Sequence, residues 1–220
     1  MDIFEKRIDL DFSLEELSRA VAGRYSLDEV VANEVIAVGY EDFNYILKTT
    51  KGSFVVKVFS NSRSDELCKT LVEKQLVPYE QGFACPKIYK RDDEALSVIN
   101  LHNKKFRLCL MDYVDGKDFY RLNELPGKSD MKFIAQQTAL LNKLDYKPPL
   151  IYDTWAIINF KEEYAKNIKL VDGEYKDKIA KVYDEFCDID QTKLNYGYVH
   201  GDIIETNVMR AKVGGGGYTL

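Results

Sequence analysis

The sequence predicts an α+β chain in two lobes: a β-rich lobe over residues 1–114 and a mainly helical lobe over 115–220. Three observations predict it. From Glu34 to Phe59, β-branched and aromatic residues alternate in a two-residue period, the mark of half-buried strands. Beyond Asp115-Gly116, apolar residues recur every three or four positions, the mark of amphipathic helices. The chain has 220 residues, 45% hydrophobic and 30% charged, an ordinary globular composition. At about 150 residues per domain, this is room for one domain or two small lobes.

The elements follow in order. Ser13 before Leu14, with Glu16 three residues on, is a capping-box start for a helix spanning 12–25. Leu14, Leu17, Val21 and Tyr25 mark its apolar stripe. Val35–Gly39, Phe43–Thr50 and Ser53–Phe59 read as an antiparallel meander, with a Lys51-Gly52 turn between the last two. Asn61 to Gly82 reads as one inserted helix that Pro78 should stop or kink. After an extended exit at Ala84–Tyr89, Ala95–Asn100 and Lys105–Val114 pair as a hairpin around His102-Asn103. The first lobe is thus five antiparallel strands with one inserted helix. In the second, Met131–Leu144, Phe160–Ile168 and Tyr175–Phe186 read as helices. Asn207–Arg210 and Tyr218–Leu220 flank the Gly214–Gly217 run, whose simplest reading is a flexible hairpin loop.

Several function classes fall away. A net charge of -5 lacks the basic footprint of a nucleic-acid binder, and no aromatic-basic motif appears. No apolar run approaches the roughly 20 residues that span a bilayer, and the charged N-terminus is unlike a signal peptide. No membrane partner is therefore expected. Cys68, Cys85, Cys109 and Cys187 are scattered without a CxxC pair, so they are expected as reduced thiols of a cytoplasmic protein rather than disulfides or zinc ligands. With only His102 and His200, a multi-histidine metal centre is excluded.

The segment Val199-His200-Gly201-Asp202-Ile203-Ile204-Glu205-Thr206-Asn207-Val208, a catalytic loop over 199–208, carries the sharpest chemical signal. It places Asp two residues after His and Asn five residues after that Asp. Protein-kinase catalytic loops have the spacing HRDxxxxN. A carboxylate there orients or deprotonates the acceptor hydroxyl, and the amide oxygen one short loop later ligates a divalent cation held by nucleotide phosphates. Phosphoryl transfer is mostly positioning and charge neutralisation, so two oxygen donors suffice from this loop.

With Gly201 between His and Asp, the loop resembles the HGDxxxxN signature of the aminoglycoside phosphotransferase / choline kinase superfamily, whose fold is protein-kinase-like and bilobal. Thr206 stands where that family usually has a small residue. The helix before a Gly39-Tyr40-Glu41-Asp42-Phe43-Asn44-Tyr45 turn is most similar to the homoserine kinase and hydroxylysine kinase-like branch. That turn, with one glycine, occupies the nucleotide-covering position. The resemblance implies that Lys57 anchors the α/β-phosphates from a strand. It also implies an ion pair with Glu73, sixteen residues on, or with Glu66 if the helix phase shifts. Met111, Asp112 and Val114 would form the hinge, with Met111 behind the adenine and the other two offering main chain. The implied cofactors are ATP or GTP with Mg2+, and the implied partner is a small-molecule hydroxyl acceptor: an amino alcohol, amino acid or aminoglycoside. Asp145 replaces a histidine common in the family.

Three further expectations concern side chains outside these motifs. His102 is expected to be solvated and Trp155 to pack between helices. Glu162, Glu163, Asp184 and Glu185 would form either a solvated helical face or an acidic acceptor pocket. The family follows its hairpin with a magnesium-binding Asp, and no Asp follows Asp202 here. The chain is therefore expected to be a C-terminally truncated kinase with an incomplete second lobe. The alternative is a non-catalytic nucleotide-binding module.

Overall fold

The structure is a computed structural model that describes residues 5–39, 41–211 and 218–219. After a 3-10 turn at Glu5–Ile8, helix α1 spans Leu14–Tyr25. Ser13 caps it as expected, its hydroxyl accepting the Glu16 N–H at 3.3 Å. The Glu16 carboxylate reaches His102 Nε2 rather than turning back to close a capping box. His102 is thus half-exposed and partnered, with its ring 4.6 Å from that of Phe12.

Next come β1 (Val30–Val35), β2 (Phe43–Thr49), β3 (Gly52–Val58), α2 (Asp65–Glu80), β4 (Ile88–Tyr89), β5 (Ser97–Leu101) and β6 (Lys104–Asp112). They form a six-stranded antiparallel sheet in the order β1-β2-β3-β6-β4, with β5 also on β6. Four of the five expected strands stand where expected, the first is displaced, and the two-residue β4 joins them. The first strand runs 30–35 rather than 35–39. It is a largely exposed edge strand, with a register shift between Val30 and Ala32, and so carries little alternation to read.

Period-two alternation gives the sheet two apolar faces. Phe54, Val56 and Val58 on β3 and Phe106, Leu108 and Leu110 on β6 pack with Leu17 and Val21 of α1. The alternate residue Cys109 joins Phe59 and Ile88 against Cys68 and Val72 of α2. Burying each such aliphatic side chain contributes roughly 1.5–3 kcal/mol. This double covering fixes the register that aims Lys57, paired with Cys109, toward the α2 face.

Helix α2 does not stop at Pro78 but continues to Glu80. Pro78 lies in the last turn, where few backbone bonds remain to be broken. Its missing N–H deprives the Lys74 carbonyl of its usual helical donor, and the Tyr198 hydroxyl donates to that oxygen at 2.5 Å.

Beyond the large sheet, β7 (Gly116–Asp118), α3 (Phe119–Leu122) and α4 (Lys128–Asn142) precede α5 (Phe160–Asn167) and α6 (Gly173–Cys187); β8 (Met209–Ala211) and β9 (Tyr218–Thr219) close the order. β7, β8 and β9 form a separate three-stranded sheet. A side chain at Gly116 would meet the Arg210 carbonyl at 2.5 Å, so this pairing requires glycine. The expected glycine loop at 214–217 lies outside the described residues.

The chain divides into two compact units, 1–148 with 198–220, and 149–197. The second holds α5 and α6, joined by aromatic contacts: Phe160 edge-on to Phe186 at 5.2 Å and Tyr164 stacked on Tyr183 at 3.9 Å. These four rings fill the helix pair, so Trp155 does not pack between helices as expected; it is 89% exposed.

All four cysteines are free thiols, as expected. Burial pushes Cys109 up to about 12 and Cys85 up to about 11, and raises Cys68 as well. At pH 8 a thiol with pKa near 11 is about one part in a thousand thiolate. Ellman's reagent should therefore titrate Cys187 rapidly in the native chain and the other three only after denaturation. Rapid native labelling of Cys68, Cys85 or Cys109 would contradict this packing.

Candidate functional site

The catalytic-loop spacing folds into a closed turn. Gly201, at φ +83°, takes a left-handed conformation that strains any residue with a Cβ. This reversal lets the Asp202 N–H donate to His200 Nδ1 at 3.3 Å. Desolvation holds the His200 imidazole below its ordinary range, against the pull of the nearby Asp202 carboxylate. A neutral ring matches its accepting role at Nδ1. The Asn207 amide crosses the turn, donating from Nδ2 to Asp202 Oδ2 at 2.7 Å and to the Asp202 carbonyl at 2.9 Å. Among the described residues, no donor engages Oδ1 of either side chain. Asp202 is solvent-exposed and Asn207 half-buried.

The loop is anchored from behind. Val208 is buried, and its carbonyl accepts the Phe119 N–H at 3.3 Å, as that of Glu205 accepts the Tyr120 N–H. Arg210 bridges Glu124 at 2.7 Å and Asp130 at 3.1 Å, with its guanidinium 4.9 Å from the Phe119 ring centre. Sequence reasoning missed this α3 platform, because four helical residues carry no periodicity.

Lys57 stands on β3 as expected, but its partner differs. Its Nζ lies 3.4 Å from Asp42 Oδ2, and no ion pair joins it to Glu73 or Glu66 among the described residues. The reason is helix phase. α2 turns Cys68 and Val72 into the sheet, leaving Glu73 about 100° round the helix beside Tyr146, whose phenol burial and Glu73 raise. Glu66 is exposed in the first turn.

Asp42 is deeply buried at the foot of the turn that follows Gly39. Its Oδ1 accepts the Ser60 N–H at 3.1 Å and Arg63 Nε at 2.8 Å. Arg63 also pairs with Glu41 at 2.6 Å. Arg7 donates to the carbonyls of Gly39 and Asp42, both at 3.0 Å, fastening the turn to the N-terminal segment. A carboxylate next to the turn glycine was the available signal, but a lone Asp in a loop reads as surface until the chain folds around it. Tyr40 lies outside the described residues.

Of the residues expected at the hinge, Met111 and Asp112 end β6 and Val114 follows it. Met111 shares the α2 face, where its sulfur accepts from Gln75 Nε2 at 3.5 Å. The Asp112 N–H is committed to the Lys87 carbonyl at 3.0 Å and its side chain to the Tyr89 hydroxyl at 2.6 Å. The Val114 N–H meets no backbone acceptor among the described residues.

Three of the four acidic residues singled out in the second unit pair locally, and Asp184 is exposed. Glu162 and Glu163 pair with Lys166 at 2.8 and 3.1 Å, and Glu185 with Lys181 at 4.0 Å. This is the expected solvated face.

The donor set suits a hard divalent cation held chiefly by phosphates: one amide oxygen, at Asn207, beside one exposed carboxylate, at Asp202. No group of three or more metal-binding side chains occurs among the described residues. No helix among them is long and apolar enough to cross a membrane.

The chain is 31% identical over 77 residues to a homoserine kinase of Rhodopseudomonas palustris (strain BisB18), covering 35% of this chain and 23% of that protein. Its fold matches an aminoglycoside 2'-phosphotransferase solved with GDP at a TM-score of 0.61 and 14% identity, over 89% of this chain and 66% of the other. It also matches spectinomycin phosphotransferase, solved with ADP and spectinomycin, at a TM-score of 0.54 and 14% identity, over 96% and 68% of the two chains. The chain thus spans about two thirds of these solved structures, and the homoserine kinase match a quarter of that protein. The pattern described as the phosphotransferase enzyme family matches residues 33–219. With the antiparallel sheet, its inserted helix and the helices beyond, these likenesses show a bilobal kinase-like α+β fold, and the chain belongs to the phosphotransferase enzyme family.

Proposed function

We propose that this chain carries the nucleotide-binding and catalytic-loop portion of a small-molecule kinase, with the lobe boundary near residue 114. It moves the γ-phosphoryl group of ATP or GTP to a hydroxyl of an amino alcohol, amino acid or aminoglycoside. One observation carries the reading: Asn207 Nδ2 fixes one Asp202 oxygen at 2.7 Å and leaves the other facing solvent. The nucleotide and spectinomycin complexes of the two structures with the same fold support the substrate classes.

In this reading the acceptor oxygen attacks the γ-phosphorus, the bond to the β-phosphate bridging oxygen breaks, and Asp202 takes the hydroxyl proton. Asn207 Oδ1 would hold Mg2+, which when bound neutralises phosphate charge. Lys57 leaves Asp42 to hold the α/β-phosphates, so Asp42 is its partner only while no nucleotide is bound. The adenine edge lies along Asp112 and Val114 against Met111. The reduced thiols suit a cytoplasmic setting.

Calorimetric titration with ATP and GTP, with and without Mg2+, tests this. Magnesium-dependent binding that weakens about tenfold or more in Lys57→Ala is the expected result. Binding indifferent to magnesium would favour the non-catalytic module, and no binding of either nucleotide would overturn both readings.

A further inference from the structure

Tyr198 stands two residues before His200, in the segment leading into the catalytic loop. Its hydroxyl crosses 124 residues of sequence to the Lys74 carbonyl on α2. That carbonyl needs a donor from elsewhere because Pro78, four residues on, has no N–H to give it. The Tyr198 ring lies 5.8 Å from that of Tyr146. Burial, with smaller contributions from Tyr146 and Cys85, pushes its phenol up to about 12. It therefore donates as a neutral hydroxyl throughout the neutral range.

We infer that Tyr198 is a positioning residue: its bond to the proline-exposed carbonyl of α2 ties the catalytic loop to the helix that packs behind Lys57. α2 lies on the Lys57 face of the sheet, and Tyr198 leads directly to the turn that presents Asp202. A shift of α2 therefore pulls on the loop through a single hydrogen bond. The assignment of catalytic consequence rests on the proposed phosphotransferase reading. The tether itself does not.

The proline makes the inference testable by rescue. Pro78→Ala restores an N–H to Lys74 and removes the carbonyl's need for Tyr198, but it cannot restore the tether. Stability is measured by urea unfolding for the full chain, Tyr198→Phe, Pro78→Ala and the double variant. Losing a donor to a part-buried carbonyl should lower the folding equilibrium constant about tenfold in the parent. In the Pro78→Ala background the same change should lower it less than threefold. Amide exchange at 199–207 should quicken in Tyr198→Phe in both backgrounds. ATP hydrolysis with Mg2+ should fall severalfold in kcat in both, with nucleotide affinity unchanged.

Equal stability costs in the two backgrounds would show that Lys74 is not the partner and overturn the inference. So would recovery of loop exchange and kcat in the double variant, which would mean Tyr198 acts only on stability. If the parent chain hydrolyses no ATP, the phosphotransferase reading fails, while the stability cycle and the exchange rates still decide the tether.

Discussion

Asp202→Asn should lower phosphoryl transfer by about 10²–10⁴ in kcat while leaving folding and nucleotide affinity nearly unchanged. General-base catalysis by a positioned side chain is worth this much. The substitution preserves shape and removes only the ability to take a proton. The fold is spared because Asp202 is exposed, and because Asn at this position still offers an oxygen to Asn207 Nδ2. Steady-state turnover with an accepting alcohol, together with calorimetry and thermal melting of the variant, checks all three parts. Undiminished turnover would remove Asp202 from the chemistry. A large loss of stability would show that its bond with Asn207 holds the fold rather than the site.

Asp42→Ala should destabilise the chain by about 3–5 kcal/mol, the range for removing one partner of a buried ion pair. The Asp42 side chain is 6% exposed and that of Arg63 14%. Removing the carboxylate orphans Arg63 Nε, held at 2.8 Å, and the Ser60 N–H, held at 3.1 Å. It also frees Lys57 from its 3.4 Å contact. For a chain of this length the melting temperature should drop by on the order of 10 °C. Asp42→Asn, which keeps an oxygen for Ser60, should cost less. The ligand effect should have the opposite sign. With no carboxylate beside Lys57, the lysine is free for phosphates, and nucleotide affinity per folded molecule should rise severalfold. A melt shift near zero would mean that Arg63 finds another partner. Weakened nucleotide binding by folded protein would mean that Asp42 helps present Lys57 rather than compete for it.

Both predictions show where sequence reading ended. The Asp202–Asn207 relation is local: a glycine able to reverse the backbone and a fixed five-residue spacing bring the two side chains together whatever surrounds them. The Lys57 partner is not local. It depends on which side of α2 meets the sheet, which is set by Cys68 and Val72 packing on Cys109 and Phe59. A helix phase error of one residue turns a carboxylate through about 100°, and sequence periodicity does not resolve that.

Sequence alone determined the succession of the large-sheet strands and the longer helices, the strand position of Lys57, the capped start of α1 and the closeness of Asp202 and Asn207. Each is written in short-range periodicity or spacing. Tertiary structure decided that Asp42 holds Lys57, that the short α3 backs the loop, that Trp155 faces solvent, and that Tyr198 completes the carbonyl Pro78 leaves bare. The physical reason is common to all four. Burial and long-range hydrogen bonds join residues tens of positions apart, and a buried polar group takes whichever partner the packed chain brings within reach.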